Sequence, residues 1–298
     1  MKTSSAVPYN GGDVVEQSYL RKIIVNADDF GISPDVNRAV IEAFKFGTLN
    51  SASLMLNVAY TDEAIKLIGE NPALKIGVHL NLTKQKNQKP LSDPTQIPLL
   101  VDGNGLLKHG FFGLLLLSIF RKKELQRQGE IEMRRQIKKA IQLGINVEHL
   151  DSHRHIHLIP ALFVVAEKLQ KEFQIQRLRV VNENFWRTIF TAGDLKCFLD
   201  GGVVKYLILK TFYYFNRTKS DTYFYSILYT TRLFEKNVDK IKMPSKYEQI
   251  ELCLHPSCIE EDKKIKSPAF ADYLLYSQNR QKEFETAMNL NLKKKIFP

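Results

Sequence analysis

Three short stretches concentrate side chains that bind metal ions or move protons. "NADDFG" carries Asp28 and Asp29, "GVHLNL" carries His79 and Asn81, and "HLDSHRHIH" sets Asp151 among His149, His153, His155 and His157. The last stretch alone holds four of the seven histidines. Two imidazoles and a carboxylate are a common set for a divalent ion, and three protein ligands leave positions open for water and substrate. Imidazole suits zinc and iron, while a carboxylate shifts the balance towards magnesium or manganese. Adjacent acids such as Asp28 and Asp29 can divide the labour. One carboxylate binds metal and the other stays free as a base. A plainer reading makes them a capping turn before a helix. A lone histidine such as His79 on an apolar strand is more often a satisfied core residue, but three such clusters at three strand ends argue for a site.

A fourth candidate is His255 in "ELCLHPS", placed to protonate a leaving group. Glu251 lies four residues earlier, on the same face of an alternating strand, and is expected to orient it. A serine nucleophile is not supported: there is no GxSxG, and Ser152 sits inside the histidine run rather than at an elbow. No P-loop or GxGxxG occurs either.

The elements that must position these residues alternate. "RKIIVNADDFG" reads as a buried strand ending in acids. "SPDVNRAVIEAFKFG" is a helix capped by Ser33, with Pro34 at its first position and Gly47 at its close. "LNSASLMLNV" and "LKIGVHLNL" are further strands, with the helix "TDEAIKLIGENP" between them. Residues 83–109 form a long Pro/Gly/Gln-rich loop, and 121–143 a helix that Gly129 is expected to interrupt. "INVEHLDSHRHIH" is a strand and its exit, followed by the helix "PALFVVAEKLQKEF", the strand "QRLRVV" and a late strand "YEQIELCLHPS"; the chain from Phe270 is helical until it turns basic. Strand–helix alternation predicts a parallel α/β fold, whose sites form at the C-terminal ends of strands. Were 149–157 extended throughout, His149, Asp151, His153, His155 and His157 would share one face. A barrel interior cannot take five such groups unpaired, so some must bind metal, pair together or lie past the strand end.

The 298 residues suit one α/β barrel domain, and 44% apolar composition supplies a core. The net charge of +11 suits an anionic partner, yet no RNA-binding or zinc-finger pattern occurs, so no nucleic-acid partner is expected. Three cysteines, odd in number and without a CxxC pair, fit a reducing compartment and a cytoplasmic placement. Residues 1–20 read as a flexible leader without the apolar core of a secretory signal. "GFFGLLLLSIF" is about half the length needed to span a bilayer, and so reads as a buried or surface-lying helix.

Together, "NADDFG", "GVHLNL", "HLDSHRHIHLIP" and, more loosely, "ELCLHPS" resemble the YdjC/ChbG family of carbohydrate deacetylases over roughly residues 21–290. The resemblance implies a distorted TIM-like (β/α) barrel in a single domain over 21–298 that removes acetyl groups from N-acetylated amino sugars with a divalent metal, magnesium first and zinc as an alternative. It implies that Asp29, His79 and His153 bind the metal, that Asp28 is the base that activates water, and that His255 protonates the leaving amine. Asn81, Asp151, His155 and His157 would orient ligands or face substrate. The aromatic, basic stretch at about 185–235 departs from smaller family members. As an insertion over the barrel, it raises peripheral membrane contact and a glycolipid substrate beside a soluble chitooligosaccharide. A homodimer is a further expectation. Two rival functions stand beside deacetylation: another metal-assisted hydrolase such as a phosphoesterase, and a non-catalytic glycan- or membrane-binding protein.

Overall fold

Strand β1 (Ile23–Phe30) opens the fold, and helix α1 (Pro34–Phe46) follows it. The Ser33 hydroxyl caps α1 by accepting from the Val36 amide at 3.2 Å, and Pro34 fits the first turn because its missing N–H would have no partner there. Strand β2 (Ser51–Leu54), helix α2 (Thr61–Glu70) and strand β3 (Lys75–Leu80) come next. Helices α3 (Phe111–Phe120) and α4 (Lys122–Gln142) lead to strand β4 (Val147–Ser152). Helix α5 (Pro160–Glu172), strand β5 (Arg177–Leu178), helices α6 (Phe185–Ala192) and α7 (Gly202–Phe215), strands β6 (Thr222–Tyr225) and β7 (Gln249–Leu254), and helix α8 (Ser277–Met288) follow among the described residues. This computed structural model describes residues 23–85, 87–192, 195–199, 201–217, 220–233, 247–264 and 277–289. The expected leader at 1–20 lies outside them.

All seven strands are parallel, in the order β5-β4-β3-β2-β1-β7-β6. The fold is the α/β, distorted TIM-like barrel expected from the alternation and the resemblance. Among the described residues the two edge strands, β5 and β6, are not paired with each other. Asn182, just past β5, spans the gap instead: its Nδ2 donates to the Thr222 carbonyl at 2.8 Å and its Oδ1 accepts from the Phe224 amide at 2.9 Å. One side chain thus does for the edge of β6 what a neighbouring strand would do. Outward faces of the strands are covered by helices through residues such as Val40, Ile137, Leu162 and Leu169, all fully buried. Each contributes about 2 kcal/mol in removing its side chain from water.

The structure departs from the sequence expectation at Gly129 and within 185–235, and it shows how 149–157 and the 83–109 loop run. Helix α4 is continuous through Gly129, which is there for packing: a Cβ would come within 2.8 Å of Leu162 on α5. The lost propensity of about 1 kcal/mol is offset by close helix contact. Residues 149–157 do not stay extended. The strand ends at Ser152 and a 3-10 segment, His153–Leu158, follows, with Arg154 at φ 57° and His155 at φ 55°. The aromatic stretch at 185–235 is only partly helical, since β6 within it belongs to the sheet. The 83–109 loop is stitched down by α4: Glu132 accepts from the Leu91 and Ser92 amides, and Gln128 from the Leu99 amide.

Candidate active site

Alternation along β1 sends Asn26 and Asp28 to the barrel interior and would send Asp29 outwards. The backbone overrides this. The register with β2 slips between Ala27 and Phe30, and Asp29 adopts φ 68°. Such irregularities re-aim side chains at strand ends beside active sites. Asp29 consequently lies with its Oδ1 2.8 Å from His153 Nδ1 and 3.5 Å from His79 Nε2. His79 comes from β3, and His153 is the first residue past β4.

Asp29, His79 and His153 offer ligand atoms that all lie within 4.8 Å of one another. This donor set, one carboxylate and two imidazoles, fits a divalent ion. Electrostatics agree. Burial alone would lower the His79 pKa, but the Asp151 and Asp28 carboxylates outweigh it and raise it to about 10. The cluster therefore demands a positive charge at this point. A cation held by His79 would satisfy the same carboxylates in place of a proton. Asp151 holds His79 Nδ1 at 2.8 Å, which leaves Nε2 turned towards Asp29.

A buried arginine organises the remaining acids. Arg179 follows β5 and grips Asp28 with both terminal nitrogens, at 2.8 Å each. It also reaches Asp151 at 2.7 Å, while its Nε donates to Glu251 at 2.8 Å. Burial pushes the Asp28 carboxyl up, but the Arg179 and His79 charges outweigh it and hold it well below the usual carboxylate range. Glu251 was expected to orient His255. It is instead committed to Arg177 and Arg179, because on β7 it sits deeper in the barrel than the strand's mouth.

The group beside His255 is Glu283 of α8. Its Oε2 accepts from the His255 amide at 2.6 Å and lies 3.6 Å from the ring Nδ1. His255 Nε2 faces Asp28 Oδ2 at 4.0 Å. Arg280, one helical turn from Glu283, contacts Asp29 Oδ2 at 2.5 Å. The His153 and His255 side chains stay 14% and 12% exposed, whereas both aspartates are sealed, so access to the site runs past these two rings.

The other candidates take supporting places. His157 bonds Ser152 and the Arg179 carbonyl, fixing the backbone that presents Arg179. His155 sets its ring edge-on to Phe224 at 5.9 Å, and Phe224 lies under the Arg179 guanidinium at 5.5 Å. Asn81 is fully buried and closes its own turn by accepting from the Thr83 amide and hydroxyl. His149 meets the Ser53 hydroxyl at 3.0 Å and occupies the space that a side chain at Gly77 would fill. Sequence reasoning missed Arg179, Arg280, Glu283, Ser53 and Gln85, the last of which meets His153 Nε2 at 3.0 Å. Only Arg179 had a local signal: two arginines two residues apart in the strand "QRLRVV" put charge on one face of an apolar strand.

A family model described as YdjC-like protein matches residues 22–296. A carbohydrate deacetylase of Brevibacillus brevis is 36% identical over 154 residues, covering 52% of this chain and 57% of that protein. One of Thermoanaerobacter pseudethanolicus is 36% identical over 190 residues, covering 59% of this chain and 73% of that protein. The chain therefore matches less than two thirds of the length of the Brevibacillus relative, and somewhat more of the second. A crystal structure from Enterococcus faecalis V583, whose name proposes cellobiose-phosphate cleavage, is similar at a TM-score of 0.63 and 25% identity, over 92% of this chain and 93% of that one.

Proposed function

The chain belongs to the YdjC-like family, and from that membership we propose that it is a metal-dependent deacetylase of N-acetylated amino sugars. The curated relatives carry the name carbohydrate deacetylase. One observation carries the reading. The irregular end of β1 brings two adjacent carboxylates into one buried cluster with different partners: Asp29 between two imidazoles, Asp28 between Arg179 and His255.

Asp29, His79 and His153 would hold the ion, with magnesium the first candidate and zinc the alternative. When bound, it supplies Lewis-acid polarisation of the acetyl carbonyl and acidifies a water. The chain's own groups do the rest. Arg179 keeps Asp28 anionic, so Asp28 stands ready to accept the proton of the attacking water. His255 donates a proton to the departing sugar nitrogen, and acetate leaves. Asp151 and Gln85 hold the rings of His79 and His153 in place. The three cysteines of the sequence, odd in number and without a CxxC pair, support a reducing, cytoplasmic setting.

The test is product release from N-acetylated mono- and oligosaccharides and from N-acetylated glycolipids, with and without a chelator. Acetate release that the chelator abolishes and a divalent ion restores is expected. Release of phosphate from phosphorylated sugars, with no acetate from any substrate, would replace this reading with the phosphoesterase one. Tight sugar binding without turnover would replace it with the binding-protein one.

A further inference from the structure

Surface helices ordinarily turn a polar face to water. Three helices here turn large apolar side chains to water instead. Helix α3, "FFGLLLLSIF", has no charged residue, and Phe112, Leu116 and Phe120 point outwards at helical spacing. Helix α7 buries Tyr206, Leu209 and Phe212 yet also exposes Leu207 on its other face. Helix α6 exposes Trp186 and Phe190, at 65% and 77%. These helices form one layer. Phe111 of α3 stacks on Phe212 of α7 at 6.4 Å, and Phe185 of α6 meets Tyr206 of α7 at 5.4 Å. Exposed apolar surface on this scale marks a place where something docks.

The charges around the layer indicate what docks there. Residues 111–124 hold Arg121, Lys122 and Lys123 against a single acid, Glu124, which pairs with Arg121. Residues 185–217 hold Arg187, Lys196, Lys205, Lys210 and Arg217 against Asp194 and Asp200. Arg121, Lys122, Lys123, Arg187 and Arg217 are exposed. An apolar face ringed by basic groups, with an exposed tryptophan, matches the headgroup region of an anionic bilayer. It matches a second copy of the chain poorly, since the two rings would carry the same sign. Among the described residues no helix is long and apolar enough to cross a membrane, so contact would be with one leaflet.

We propose that the layer formed by α3, α6 and α7 is a docking surface for an anionic lipid bilayer. The proposal stands independently of the deacetylase reading. It also places the candidate site near the lipid: α3 and α7 both pack on the His153–Leu158 segment, and Asn216 at the end of α7 donates to the Leu158 carbonyl at 2.9 Å. An enzyme seated this way would meet sugars carried on lipids.

Trp186 is the chain's single tryptophan and so reports on the layer alone. The full chain is titrated with phosphatidylcholine vesicles, with and without phosphatidylglycerol, while Trp186 emission and co-sedimentation are followed. A blue shift and co-sedimentation that require phosphatidylglycerol are expected. Both Lys122→Glu with Lys123→Glu and Phe120→Asp with Leu207→Asp should weaken binding by about tenfold or more. Absence of any shift or co-sedimentation in the unsubstituted chain would overturn the proposal, whatever the variants do. So would binding left intact by Phe120→Asp with Leu207→Asp, which would reduce the effect to diffuse charge attraction. A blue shift that follows protein concentration without lipid, together with a dimer in sedimentation velocity, would assign the face to self-association instead.

Discussion

Arg179 and Asp28 are joined by two parallel hydrogen bonds of 2.8 Å, both fully buried, although they lie 151 residues apart in the chain. The same guanidinium serves Asp151 and Glu251, so one cation compensates three acids inside the barrel. Those acids come from β1, β4 and β7. Arg179 is therefore a closure device for the barrel as well as the group that keeps Asp28 ionised.

Arg179→Met is expected to destabilise the fold by about 3–5 kcal/mol, because it removes the cation that buried Asp28, Asp151 and Glu251 share. Urea denaturation measures this directly. A loss below about 1 kcal/mol would show that the acids find other compensation. Arg179→Lys should recover only part of the loss, since an ammonium cannot make the paired contact with Asp28.

Metal affinity is expected to depend on Asp151 even though it would not touch the ion. Asp151 orients the His79 ring, and removing such a partner typically costs 10–100-fold in affinity. Titration of metal-stripped Asp151→Asn with magnesium, manganese and zinc tests this, with His79→Ala and His153→Ala expected to bind still more weakly. Unchanged metal content in the two alanine variants would remove the proposed ligand set.

His149 and His157 make stability depend on pH. Burial, the largest cause for each, lowers both pKa values from 6.5 to about 4. Between those values the unfolded chain binds the proton and the folded chain does not, so stability falls as pH falls from about 6.5 towards 4. Each histidine contributes at most roughly 3 kcal/mol to that slope. His157→Gln, which keeps polar atoms near Ser152 and the Arg179 carbonyl, should flatten the slope relative to the unsubstituted chain. Parallel slopes in denaturation midpoints between pH 7 and pH 4 would show that His157 does not titrate there.

Gly77→Ala is expected to cost about 1–3 kcal/mol or more, since the added methyl would overlap the His149 ring. Thermal melts check the size. Gly77→Ala with His149→Ala should recover much of the loss, and failure to do so would place the strain elsewhere.

Much of the fold was legible because its signals are local. An apolar run that ends in polar residues marks a strand end whatever it packs against, and "NADDFG", "GVHLNL" and the start of "HLDSHRHIH" sit where β1, β3 and β4 end. Ser33 and Pro34 announce α1 because capping depends on only a few neighbouring residues. Gly129 misled for a matching reason: its meaning lies in Leu162, which is far away in the chain.

The site itself was decided by contacts that no local period encodes. Strict alternation would have parted Asp28 and Asp29, and the left-handed turn at Asp29 reunites them. The left-handed residues Arg154 and His155 end the extended run, so His153 alone of the later histidines reaches Asp29. Arg280 and Glu283 arrive from α8, more than two hundred residues after Asp29, and nothing in their own neighbourhood marks them. By itself the sequence determined which residue types stand at each strand end, because apolar patterning acts over a few residues. Only the tertiary structure decided which of them face one another, because closing a barrel brings together groups that no short stretch contains.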